Sequence, residues 1–160
     1  MKNTSIKIAA LSKDDYEFWL PLWQNYLQFY ETSLPSSTIQ NTWHSLLDSN
    51  VPIYGFGAWQ DDKLVGITHV VLHPNTWNIT ECCYLEDLYV NEQVRGQGVG
   101  RVLIEKVYEF AHSKTATVCI GRHKRATPRR ANSMTPSPLK QTWCSIVKTY
   151  DLYYLSYDLQ

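Results

Sequence analysis

One stretch limits what this chain can fold into more than any other: Leu85 to Arg101, LEDLYVNEQVRGQGVGR. The apolar run Leu88-Tyr89-Val90 reads as the end of a buried strand. A polar turn, Asn91 to Val94, follows it. Arg95-Gly96-Gln97-Gly98-Val99-Gly100-Arg101 then opens an amphipathic helical pattern, Val102 to Tyr108. Glycines at a helix start let the backbone approach a ligand closely, because no Cβ stands in the way. The first helical turn also has N–H groups outside the helix ladder and the positive end of the dipole. Strand, glycine turn and helix in this order make an anion seat suited to a phosphate or pyrophosphate.

Two familiar phosphate loops are excluded. A Walker loop ends Gly-Lys-Ser/Thr, whereas Gly100 is followed by Arg101 and Val102. A dinucleotide fingerprint sits straight after the first strand of a βαβ unit with other glycine spacing. The pattern Arg-x-x-Gly-x-Gly, as Arg95, Gly98 and Gly100, after a strand ending Leu-Tyr-Val, resembles motif A of the GNAT (GCN5-related) N-acetyltransferases. The phrase Tyr84-Leu85-Glu86-Asp87-Leu88-Tyr89-Val90 is similar to the polyamine- and amino-acid-type members. The resemblance implies an α/β fold, a mixed and mainly antiparallel sheet with helices on both faces. It implies acetyl-CoA as co-substrate and a primary amine as acceptor, on a small molecule or, second, a protein. It assigns the pyrophosphate to Arg95, Gly96, Gln97, Gly98, Val99, Gly100 and Arg101. It assigns the pantetheine arm and thioester carbonyl to the backbone of Leu88, Tyr89 and Val90.

Acyl transfer to an amine needs a base, because a free alkylamine has a pKa of about 10 and must lose a proton to attack. Glu86 and Asp87 are adjacent on one strand, so alternation points them to opposite faces and only one can face the acceptor. The resemblance makes Glu86 the base.

The remaining chain supplies the scaffold. Residues 5–10 read as a strand, with Ser12 capping a helix. Tyr16, Trp19, Leu20, Trp23, Tyr26, Leu27 and Tyr30 recur at helical spacing and read as core. Pro21 is expected to kink or restart that helix. Residues 38–48 read as a second helix after a loop holding Glu31, which reads as a solvated acid. Residues 54–59 and 63–72 form a hairpin around Gln60-Asp61-Asp62. His69 and His73 lack a carboxylate-and-nucleophile pattern and read as structural or solvated. Cys82, Cys83, Cys119 and Cys144 have no metal-ligand spacing and read as unpaired thiols, with no metal expected. No run is long enough to span a membrane and no secretory leader is visible. A cytoplasmic enzyme follows, with no membrane or nucleic-acid partner and a homodimer as a compatible assembly.

The resemblance stops near residue 113. Residues 1–113 hold 7 Lys/Arg and 13 Asp/Glu, whereas 114–150 hold 8 Lys/Arg and no acid, so the charge breaks at one point. The family pattern calls there for a strand ending Tyr-Trp and an Asn-x-x-Ala-x-x-Leu-Tyr segment whose tyrosine protonates the leaving thiolate. Permitted codons for residues 114–148, read one base back, regain a strand ending Val-Tyr-Trp and the run Asn-Ala-Thr-Ala-Arg-Gln-Leu-Tyr. The chain is therefore expected to be frame-shifted from about Lys114. Its single domain, 1–160, would be family-like over 1–113 and poorly packed over 114–150, with no second strand beside the strand that ends at Val90. Tyr150, Tyr153, Tyr154 and Tyr157 match no acid position. The rival expectation is a catalytically impaired acyl-CoA-binding or regulatory module.

Overall fold

A computed structural model describes residues 5–76 and 79–120. In chain order the elements are β1 (Lys7–Ala10), α1 (Tyr16–Phe29), α2 (Ser36–Leu47), β2 (Ile53–Gln60), β3 (Lys63–His73), β4 (Cys82–Val90), α3 (Val99–Ser113) and β5 (Thr117–Ile120). The strands form one sheet in the order β1-β2-β3-β4-β5. Neighbours from β1 to β4 are antiparallel, and β5 runs parallel to β4. The mixed, mainly antiparallel sheet expected from the sequence is present.

Both faces of the sheet are covered. On one, Trp19, Leu22, Trp23 and Leu27 of α1 and Trp43 and Leu46 of α2 pack with Ile67 and Tyr89. On the other, Ile104, Val107 and Ala111 of α3 pack with Phe56, Val70, Leu72, Leu85 and Val118. In β3, Ile67 faces α1 while Val70 and Leu72 face α3, the period-2 alternation of a strand between two layers. The hairpin turn is two residues, Asp61 (φ 47°) and Asp62 (φ 59°), both left-handed. That is the twist-matched geometry, and Asp tolerates it better than most side chains.

Three expectations are corrected. Pro21 neither breaks nor restarts α1, which runs unbroken from Tyr16 to Phe29. Pro21 and Glu17 are both exposed, so water can hydrate the carbonyl that proline leaves without its N–H partner. Meanwhile Trp19, Leu22 and Trp23 hold the helix to the sheet on either side of the lesion.

The strand beside β4 is present, since Thr117–Ile120 pairs with Cys82–Leu85. Thr-Val-Cys-Ile is too short to show a period, but it has the β-branched, apolar character of a buried strand. The rest of the segment expected to be frame-shifted and poorly packed, with the late tyrosines, lies outside the described residues.

The cysteines are not all unpaired thiols. Cys83 is free and buried on the α3 side, where burial pushes its thiol up to about 12. Cys82 is disulfide-bonded. Adjacent strand residues point to opposite faces, so the two sulfurs meet different neighbours.

Candidate active site

The site is built on β4 and on the turn that leaves it. Along β4, His69 of β3 stands opposite Asp87 while Val70 stands opposite Leu85, so Glu86 is an extra residue in a bulge. A bulge places two residues opposite one and breaks the alternation. Leu85 and Leu88, three apart, both pack on the α3 side. The two residues between them therefore both fall toward the α1 side. This overturns the expectation that Glu86 and Asp87 face opposite ways. Thr68 pins the irregular backbone, its buried hydroxyl donating to the Asp87 carbonyl at 2.8 Å.

The two carboxylates sit in different surroundings. Glu86 is exposed on one flank and shielded on the other; its pKa is raised by desolvation and then by the Asp87 charge. Asp87 is only 15% exposed and lies 2.9 Å from His69 Nδ1. Tyr26 of α1 lies near Asp87; burial, then its interaction with that carboxylate, drive its phenol well above the usual range.

His69 was read from sequence as structural or solvated. It is 2% exposed, and its ring joins Asp87 to Trp19, whose Nε1–H donates to His69 Nε2 at 3.0 Å. The signal available in the sequence was a histidine inside the apolar run Val65 to Leu72, because a buried imidazole needs partners for both nitrogens.

The glycine turn has the geometry that its residues demand. Gly96 (φ 81°) and Gly98 (φ 86°) are left-handed, a region that L side chains avoid. A Cβ added at Gly98 would meet nothing within 4 Å, so the space in front of the turn is open. Gly98 caps α3, and the first ladder bond runs from Val102 N–H to the Gly98 carbonyl at 3.2 Å. The N–H groups of Val99, Gly100 and Arg101 precede that bond and take no part in the ladder. With the dipole behind them, these donors and the open space fit a pyrophosphate.

Side chains in the turn serve its shape. Val99 is 1% exposed and packs with Leu103, Ala58 and Val65. Arg95 folds back: its Nε–H donates to the Val90 carbonyl at 3.2 Å, its Nη1 lies 3.3 Å from Glu92, and its guanidinium covers the Tyr89 ring at 5.7 Å. Gln97 accepts from Gln60 Nε2 at 3.3 Å across to β2. Arg101 is exposed in the first turn of α3.

Leu88 and Val90 face α3 and Tyr89 faces α1, so all three offer a ligand mainly backbone. The pairing of β4 with β5 ends at Leu85. Among the described residues, no strand covers the far edge of β4 from Glu86 to Val90. Glu86 and Val90 are four residues apart, about 13 Å along a strand. The carboxylates and the anion seat therefore lie at two ends of one open strand edge. Among the described residues no helix is long and apolar enough to cross a membrane.

Comparison with known proteins agrees with this arrangement. D-amino-acid N-acetyltransferase HPA3 of Saccharomyces cerevisiae is 35% identical over 113 residues, covering 69% of this chain and 70% of that one. Among solved structures, the ribosomal-protein-alanine N-acetyltransferase from Brucella melitensis biovar Abortus 2308 superposes with a TM-score of 0.65 at 20% identity, covering 83% of this chain and 97% of that one. The aminoglycoside N-acetyltransferase AAC(6')-Iy in complex with CoA gives 0.67 at 16% identity, covering 85% and 98%. At those identities the structures speak for the fold alone. Residues 10–126, which include the bulged strand and the whole glycine turn, match the pattern of the Acetyltransferase (GNAT) family. The chain belongs to that family, the GNAT acetyl-CoA-dependent N-acetyltransferases.

Proposed function

We propose that this enzyme transfers acetyl from acetyl-CoA to the primary amine of a small polyamine- or amino-acid-like molecule. Glu86 is its base and the turn Arg95 to Arg101 its pyrophosphate seat. The observation that carries this reading is the β4 bulge, which gathers Glu86 and Asp87 on the α1 side of a strand edge that no described strand covers. The co-substrate supplies an activated thioester; the residues supply position and proton transfer. Backbone N–H groups in the first turn of α3 hold the diphosphate and anchor the arm along Leu88, Tyr89 and Val90. Glu86 takes a proton from the acceptor ammonium, directly or through a water, and frees the nitrogen lone pair for attack on the thioester carbon. Its raised pKa suits the task, since a carboxylate that holds a proton more strongly is the better base.

The second reading is an acyl-CoA-binding module of impaired activity, favoured by the absence of a family-like acid tyrosine in residues 114–150. A panel of diamines and D- and L-amino acids with acetyl-CoA, followed by release of free thiol, separates the two. CoA protects either protein against heat, but only the enzyme releases thiol when an amine is added. Glu86→Gln should lower turnover about 10²- to 10⁴-fold, the span of general base catalysis, with CoA affinity unchanged. Unaltered turnover removes Glu86 from the chemistry. DNA sequence across codon 114 tests the frame-shift: an unshifted reading frame in independent clones ends that proposal.

A further inference from the structure

We infer that His69 and Trp19 are positioning residues: the hydrogen-bond chain Trp19 to His69 to Asp87 aims the Asp87 carboxylate at an acceptor cation while leaving its charge uncancelled. The inference rests on the amine-acetyltransferase reading above and adds a second acidic group to it.

The chain of bonds fixes its own proton positions. An indole N–H can only donate. Trp19 Nε1 lies 3.0 Å from His69 Nε2, so that nitrogen must accept and carries no hydrogen. The imidazole proton is therefore on Nδ1, 2.9 Å from Asp87 Oδ2, and points at the carboxylate. The close His69–Asp87 contact is a hydrogen bond from a neutral ring to a carboxylate, not an ion pair. A charged imidazolium would have to give up the Trp19 bond inside a core where Trp19 is 0% exposed.

The Tyr26 phenol, which lies near Asp87, is also neutral. No lysine or arginine among the described residues pairs with Asp87. Glu86, a charged neighbour among the described residues, has the same sign. Asp87 is thus a mostly buried carboxylate held by a neutral donor and facing another acid. A carboxylate has room for about four hydrogen bonds, and the His69 bond uses one of them. Burying a charge without a counter-charge is unfavourable, so the site is built to accept a cation. An alkylammonium beside the base matches it: Asp87 holds the nitrogen while Glu86 removes its proton.

The test compares two replacements of His69. Asn carries its amide nitrogen where histidine carries Nδ1, so His69→Asn keeps a donor toward Asp87, whereas His69→Leu keeps only bulk. His69→Leu should raise KM for the amine about tenfold or more, the loss typical of a hydrogen bond to a charged group, and change kcat by less than about threefold. His69→Asn should bring KM back to within about threefold of the parent. Both should keep the parent's protection by CoA, which reports the other end of the strand. Equal KM for the two variants overturns the proposal and leaves His69 as a core filler. If neither variant folds, ¹⁵N imidazole NMR of the parent enzyme decides: a protonated Nδ1 with bare Nε2 supports the chain, and a protonated Nε2 overturns it. These outcomes are independent of Glu86→Gln, so failure of the base assignment and failure of the positioning chain are told apart.

Discussion

Gly98 isolates the contribution of backbone conformation at the anion seat. Its φ is +86°, and a Cβ placed there meets no protein atom within 4 Å. In the free protein Gly98→Ala therefore introduces strain without a clash. A left-handed L residue costs about 1–2 kcal/mol, and the stiffer unfolded chain returns about 0.4–1. The net destabilisation should be about 1 kcal/mol if the turn holds its shape, a fall in Tm of about 2–4 °C for a chain of this size. If the turn relaxes instead, stability is kept and the strain returns when coenzyme restores the shape, weakening CoA by about 5- to 30-fold.

The open space also has to be the ligand's space, so a methyl group there adds to the loss. Gly98→Asn separates the two effects. Asn tolerates the left-handed region, so stability should recover, but the side chain still obstructs the diphosphate. Urea unfolding with and without CoA reads both quantities. At a CoA concentration of 100 Kd the parent gains about 2.7 kcal/mol, and a variant binding 30-fold more weakly gains about 0.9 at the same concentration. Parent-like stability together with parent-like CoA protection in Gly98→Ala would refute the reasoning, because the glycine would then be neither conformationally required nor close to the ligand.

Other outcomes test the rest of the site and its scaffold. The base must be deprotonated to act and Glu86 has a raised pKa, so kcat/KM should fall as pH drops through a value above 4.5. Asp87→Asn removes one of the charges that raise it, so the acid limb of that profile should move to lower pH; an upward move contradicts the assignment. A Cβ at Gly66 would lie 3.1 Å from Leu103 Cδ1 and Val99 Cγ1 and 3.2 Å from the Tyr89 carbonyl. Gly66→Ala should therefore destabilise by about 1–3 kcal/mol in urea titration and weaken CoA by shifting the start of α3. Trp23 Nε1 is buried without a hydrogen-bond partner among the described residues. Trp23→Phe removes that unsatisfied donor, worth about 1–3 kcal/mol, which offsets part of the lost packing, so its net cost in the same titration should be below about 1 kcal/mol.

The parts of this enzyme that were legible in its sequence are those fixed by local chemistry. Gly96 and Gly98 stand where φ is positive, and that demand is written in residue type alone. The helical stripe Trp19, Trp23, Leu27 reads as core because its spacing is its own, and it is core. The expectation that Pro21 restarts the helix failed because a local rule was set against tertiary packing, and the packing of the flanking tryptophans prevailed. The β5 expectation failed because a mismatch with family motifs outweighed the plain β-branched character of Thr117 to Ile120.

The bulge at Glu86 is a different kind of omission. No glycine or proline marks it, and Leu88-Tyr89-Val90 is apolar on both faces, so alternation runs past it unchallenged. Yet Leu85 and Leu88 both belong to the α3 side, and two residues three apart on one face are incompatible with period two. Only the opposite strand reveals the extra residue, because His69 and Val70 are adjacent while their partners Asp87 and Leu85 are not. That slip brings a second carboxylate to the α1 side, where His69 and Tyr26 can reach it. The acidic pair is thus a product of strand register, a property of two strands together that neither carries in its own residues.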